Sequence, residues 1–108
     1  MKIFVSQPMH GLTPEQIELT YREAVADIKR RVSAGTDLEI LSTRKYELPY
    51  ELRKGRNEQM CYWSHAIQVL SMADVIYLCP GWQNSAGCSV EANVARLCGL
   101  PVIGPEGA

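Results

Sequence analysis

The sequence predicts a single α/β domain: a three-layer sandwich on a mainly parallel sheet of about four strands, in the order 2-1-3-4. Three observations predict it. Short apolar runs near residues 2–6, 38–42, 74–79 and 100–103 alternate with stretches of helical periodicity. The third run, DVIYLC, is continuously apolar after its first residue, as expected of a strand covered on both faces. The length of 108 residues suits one domain spanning 1–108, and 46% apolar and 21% charged residues are the proportions of an ordinary globule.

Lys2 to Ser6 (KIFVS) reads as the first strand, and Gln7 to Gly11, with its Pro, His and Gly, as a loop. Thr13-Pro14-Glu15-Gln16 then supplies an N-cap, a proline at the first helical position and a glutamine at the third, which is a capping box. The cap alone is worth about 1 kcal/mol. Ile17, Tyr21, Ala24, Val25, Ile28 and Val32 continue at helical spacing, and Gly35 marks the expected stop. Leu38 to Ser42 (LEILS) is the second strand. Thr43 to Asn57 is polar, holds Pro49, Gly55 and five basic residues, and reads as a long loop with room for a helical turn.

Glu58 to Ala73 sets Met60, Trp63, Ile67 and Leu70 at helical spacing and forms the second helix. Asp74 to Cys79 is the third strand, and Pro80 to Asn84 a loop. Ser85 caps a third helix running towards Cys98, with Gly99 in the C′ position. Leu100 to Ile103 is the last strand; Pro101 places it at an edge or stands at its start.

A net charge of −1 gives no general attraction to nucleic acid. No apolar run approaches the ~20 residues that span a bilayer, and no signal-peptide core follows the amino terminus, so the expected compartment is the cytoplasm. Cys61, Cys79, Cys88 and Cys98 include no CxxC pair and no His at ligand spacing, so neither a metal site nor a disulfide framework is expected. The expectation is four reduced, mostly buried thiols.

With strand order 2-1-3-4, strands one and three are neighbours whose crossovers leave in opposite directions. The crevice beyond their carboxyl ends is the expected ligand site. Loops 7–13 and 80–85 open onto it. Asn84-Ser85-Ala86-Gly87 can cradle an anion through free first-turn N–H groups, the Ser85 hydroxyl and close approach at Gly87. Ser85 is equally an ordinary N-cap. GxGxxG and GxxxxGK[ST] are absent, which disfavours dinucleotide cofactors and P-loop chemistry.

Glu91 is the odd residue. On the third helix it shares a face with Gly87, Cys88, Val94, Ala95 and Cys98, all small or apolar, where a surface helix would carry no acid. It reads either as a catalytic carboxylate near a bound phosphate and sugar, or as the partner of an arginine or a subunit interface. Trp82 either stacks on a base or packs over the sheet's end. His10 either contacts a phosphate or is solvated, and the basic residues 44, 45, 53, 54 and 56 form either an anion lid or a wet loop.

Three segments together resemble the nucleoside 2-deoxyribosyltransferase-like superfamily: KIFVSQPMHG, ADVIYLCPGW, and the S-x-G-x-x-x-E pattern opening SAGCSVEANVARLCGLPVI. The match is best to its short bacterial and phage branch and spans nearly the whole chain. The resemblance implies a Rossmann-like, flavodoxin-like fold and assigns Glu91 as a nucleophile that attacks the anomeric carbon, releases the base and holds a glycosyl intermediate. It makes Ser6, Gln7, Pro8, Met9 and His10 the lining of the base and sugar pocket. Gly81, Trp82, Ser85, Ala86 and Gly87 lie on its other side. Serine at 85 matches the members that bind a 5′-phosphate, whereas members acting on free nucleosides tend to have Asp. Ala86 stands where many relatives have Arg, and Ser64-His65-Ala66 where many have an Asp, leaving His65 as the candidate acid. A fifth strand and carboxyl-terminal segment of larger relatives have no counterpart in the sequence.

The expected function is therefore cleavage of the N-glycosidic bond of a nucleoside or deoxynucleoside 5′-monophosphate, without metal or cofactor. The alternatives are a non-catalytic module that senses or sequesters a nucleotide, and a structural protein keeping only the fold. The expected partners are a small nucleotide or nucleoside and further copies of the chain, with no nucleic acid and no membrane. Met60, Tyr62, Trp63 and Met72 carry more apolar surface than one helix face can hide, so a homodimer or larger assembly through the second helix is expected.

Overall fold

The computed structural model describes residues 1–105. Its elements follow as β1 (Lys2–Ser6), α1 (Pro14–Arg31), β2 (Glu39–Leu41), α2 (Tyr50–Arg53), α3 (Glu58–Leu70), β3 (Val75–Leu78), a 3₁₀ turn (Trp82–Asn84), α4 (Ala86–Leu97) and β4 (Val102–Ile103). The expected second and third helices are thus α3 and α4. The helical turn in the long loop is α2.

All four strands are parallel and ordered β2-β1-β3-β4. Ile3 is level with Val75 and Ser6 with Leu78 across the central pair. Side chains alternate across such a sheet, and two cores follow from that period. Ile3, Val5, Tyr77 and Cys79 pack with Ala24 and Ile28 of α1 on one face. Phe4, Ile76 and Leu78 pack with Leu70 of α3 and with Ala92 and Ala95 of α4 on the other. Each fully buried large apolar side chain contributes roughly 1.5–3 kcal/mol.

The capping box at Thr13 forms in both directions: Gln16 N–H donates to Thr13 Oγ1 at 3.1 Å, and Thr13 N–H to Gln16 Oε1 at 2.9 Å. The helix stops earlier than Gly35. Val32 closes the last turn by donating to the Ile28 carbonyl and then turns extended. Gly35, at φ +86°, serves the following turn instead. One polar cluster pins α1 to the sheet: the Tyr77 hydroxyl donates to Asp27 Oδ2 at 2.6 Å, and Arg30 and Arg31 pair with the same carboxylate. The Tyr77 bond, ahead of the two guanidiniums, holds Asp27 below the usual carboxylate range, although burial works against it.

At its far end α4 closes as expected. Leu100 N–H reaches the Ala95 carbonyl and Gly99 N–H the Arg96 carbonyl, with Gly99 at φ +76°. That is the double closure that favours glycine at C′. The expected stripe on α4 needs correction. Cys88, Glu91, Ala92 and Ala95 are buried, while Val94 is half-buried and Cys98 exposed. The 88-91-92-95 pattern is the stripe that faces the sheet, and 98 falls past the helix end. The thiols differ accordingly: Cys79 and Cys88 are buried, Cys61 is intermediate and Cys98 is exposed.

Two further bounds shorten. α3 ends at Leu70, since Met72 and Ala73 N–H groups take turn bonds before Asp74 N–H joins Lys2. β4 begins after Pro101, which has no N–H but offers its carbonyl to Ile76. Among the described residues no helix is long and apolar enough to cross a membrane.

Candidate functional site

A parallel sheet presents its strand ends together, and here the carboxyl ends of β1 and β3 open into a cleft of about 690 Å³. The loop after β1 contributes Gln7, Pro8, Met9 and His10. Gly81, Ser85, Ala86, Gly87 and Glu91 come from the β3–α4 connection and α4. Two glycines line the cleft, and one of them is there for its backbone conformation. Gly81 sits at φ +84° against Pro8, a backbone that L side chains rarely adopt. A Cβ at Gly87 would stand 3.4 Å from Trp63 Nε1, an ordinary contact, so α3 packs closely on the start of α4 without requiring glycine there.

Glu91 forms part of the cleft wall and is only 9% exposed. Its one hydrogen bond among the described residues comes from Ser6, whose Oγ donates to Oε1 at 2.6 Å. No arginine or lysine faces it, so the reading of Glu91 as half of an ion pair finds no partner among the described residues. Burial pushes its carboxyl up to about 7, with the Ser6 bond pulling the other way. Cys88, one turn earlier, is also pushed up by burial and by the Glu91 charge, so it stays a neutral thiol.

Ser85 caps α4 by accepting from Cys88 N–H at 3.3 Å. α4 therefore presents its remaining first-turn N–H groups at the cleft, the arrangement that suits an anion. Gln7 is 6% exposed; its Nε2 donates to the Ile17 carbonyl at 2.9 Å, which fixes the amide, and its Oε1 is buried without a partner.

Trp82 takes the packing alternative of its two readings, not the pocket position that the resemblance implies. It does not line the cleft but packs over the Phe4–Leu78 core, with Arg96 5.2 Å from its ring, because the 3₁₀ turn carries it round the sheet's end. Ser6 also lies behind the cleft surface, under Glu91. In the other direction, the sequence reading missed the far wall. Tyr46 stacks on His65 at 3.5 Å and 11°, with Tyr62 edge-on to Tyr46. Of the basic loop residues only Arg44 reaches the cleft, and it is held by Glu18 and lies 3.5 Å over the Tyr21 ring. Helical spacing sets Tyr62 and His65 on α3, but nothing in a fifteen-residue loop says that Tyr46 folds back onto them.

A larger, open groove of about 1020 Å³ lies between α1 and the β3–β4 edge, but there Tyr77 and Asp27 already satisfy each other. The unspent polar chemistry is on the Glu91 side. Among the described residues no cluster of three or more His, Cys, Asp or Glu is arranged to hold a metal ion.

A family model described as a domain of unknown function, DUF4406, matches residues 1–104. The chain belongs to the DUF4406 family. No curated protein and no solved structure matches it. In this DUF4406 domain the odd carboxylate of the sequence and the cleft of the fold coincide.

That coincidence has a measurable consequence. A carboxyl whose pKa is raised on folding destabilises the protein as pH climbs from the unfolded value near 4.5 through about 7. Glu91→Gln keeps the shape and an acceptor for Ser6 but cannot ionise. Its stability relative to the parent, measured by urea unfolding, should rise with pH and level off above pH 7, about 3 kcal/mol above the difference at low pH. A difference independent of pH would mean that the carboxyl is not raised.

Proposed function

We propose that this domain cleaves the N-glycosidic bond of a nucleoside or deoxynucleoside 5′-monophosphate, with Glu91 as the nucleophile. The observation that carries the reading is a buried carboxylate with no counter-cation among the described residues, at the edge of a nucleotide-sized cleft and beside the start of α4. A structural carboxylate would be expected to have a cation or several donors; Glu91 has one hydroxyl.

In the proposed step a Glu91 oxygen bonds to the anomeric carbon as the carbon–nitrogen bond breaks, and the electron pair leaves with the base. Water then attacks the glycosyl ester, restoring the carboxylate and releasing the sugar phosphate; a second base in place of water gives transfer. This two-step displacement is ordinary covalent catalysis, as in retaining glycosidases. The departing base needs a proton, and His65 in the cleft wall is the candidate donor. The start of α4 and the Ser85 hydroxyl are the proposed holders of the 5′-phosphate.

The same reading takes the working unit to be a homodimer or larger. Met60 on α3 and Met72 in the turn just after it are 64% and 54% exposed, more apolar surface than a lone helix usually leaves in water.

Three experiments test these statements. Incubation with each ribo- and deoxynucleoside monophosphate, followed by chromatography, should release free base from at least one, and Glu91→Gln should lose that activity by several orders of magnitude while still binding. Binding without release would instead favour a sensing or sequestering module. Monophosphates should raise the melting temperature where the matching nucleosides do not, and Ser85→Ala should weaken that effect by about 1–2 kcal/mol, the scale of a hydrogen bond to a charged group. Light scattering at micromolar concentration should give at least a dimer; a monomer would refute the assembly.

A further inference from the structure

We propose that Ser6 is a positioning residue for Glu91: its hydroxyl holds Oε1 and so leaves Oε2 as the oxygen that meets the ligand. The proposal rests on the reading of Glu91 as nucleophile. Three observations bring the two residues to this arrangement.

Ser6 is the last residue of β1, 1% exposed and level with Leu78 of β3, and its carbonyl accepts from Cys79 N–H at 2.9 Å. Alternation along β1 puts Ser6 on the same face as Phe4, the face that α4 covers. The hydroxyl is thus presented from the most rigid part of the sheet. The 2.6 Å separation is that of a short O–H···O⁻ bond, with one hydroxyl proton directed at one oxygen.

The two carboxyl oxygens differ as a result. Oε1 is held by Ser6, whereas Oε2 has no hydrogen-bond partner among the described residues and is not sealed from the cleft. A carboxylate on a flexible glutamate side chain would offer either oxygen at many angles. A single buried anchor fixes the rotation about the last bond, so the free oxygen keeps one direction. Placement of this kind accounts for much of what intramolecular reactions gain over bimolecular ones. The anchor also favours the ionised form, the only form able to attack, against burial in the cleft wall. The other titratable groups around it are Cys88 on α4, Tyr62 and His65 on α3, and His10, Arg44 and Tyr46 on the loops lining the same cleft. None of these is hydrogen-bonded to Glu91.

The test is a carbon-13 NMR titration of the Glu91 side-chain carboxyl, assigned by its loss in Glu91→Gln, in the parent, Ser6→Ala and Ser6→Gly. The pH profile of kcat/KM for base release is measured alongside. Loss of one hydrogen bond to a charge should raise the Glu91 midpoint by about 1–2 pH units. The acid limb of the rate profile should move by the same amount, so that activity falls roughly 5- to 50-fold at pH 7 and recovers towards pH 9. An unmoved midpoint, or a uniform loss of activity at every pH, would make Ser6 a packing residue and overturn the proposal. If the parent releases no base, the glycosidase reading fails separately. The titration still decides whether Ser6 governs the carboxylate.

Discussion

Because β1 and β3 pair in parallel, with Ser6 level with Leu78, neither strand can reach the other through a hairpin. The chain must leave each strand at the same end, cross a face and return. Helix α1 takes one face and α3 with α4 the other, and both cores rest on the same central pair. The gap at the carboxyl ends is a by-product of that pairing, since the two departing loops are drawn apart rather than joined. The Glu91 cleft opens at that gap.

The Ser6–Glu91 contact joins the oldest rule of such sheets to the chemistry of one residue. A carboxylate among Cys88, Ala92 and Ala95 stays charged at neutral pH only if something opposes desolvation. The opposing group here is one hydroxyl on the rigid strand, not a cation. A guanidinium would neutralise the carboxylate and hold it far below 7. The hydroxyl leaves its titration close to neutrality. This balance holds because Arg44, although it lines the same cleft, is paired with Glu18, and no cation among the described residues pairs with Glu91.

Much of this was legible in the sequence. The capping box at Thr13, the apolar run of β3, the Gly99 terminus and the strand order follow from local chemistry and from the alternation of elements, and the structure has all of them. Glu91 stood out because a charge broke a helical stripe. Less was legible where tertiary packing decides. Gly35 reads as a helix stop, yet an extended Val32 ends the helix first. Trp82 reads as either a ring at the mouth of a crevice or a cover over the sheet's end, and only the 3₁₀ turn decides for the core. The Tyr46–His65 stack joins residues nineteen positions apart through a loop with no periodicity, and no pattern in a single sequence encodes that distance.

The same loop has another consequence. Thr43 to Asn57 is irregular apart from α2, but it is fastened at separate points: Arg44 to Glu18 and Tyr21, Tyr46 to His65, and Leu48 N–H to the Tyr62 hydroxyl at 3.3 Å. None of these fasteners belongs to the sheet or touches Glu91. A lineage can therefore lengthen, shorten or rewrite this wall, changing the size and polarity of the cleft, without disturbing the central strand pair or the Ser6–Glu91 contact. The wall and the Ser6–Glu91 pair are encoded in separable stretches of chain, so one can drift while the other is held.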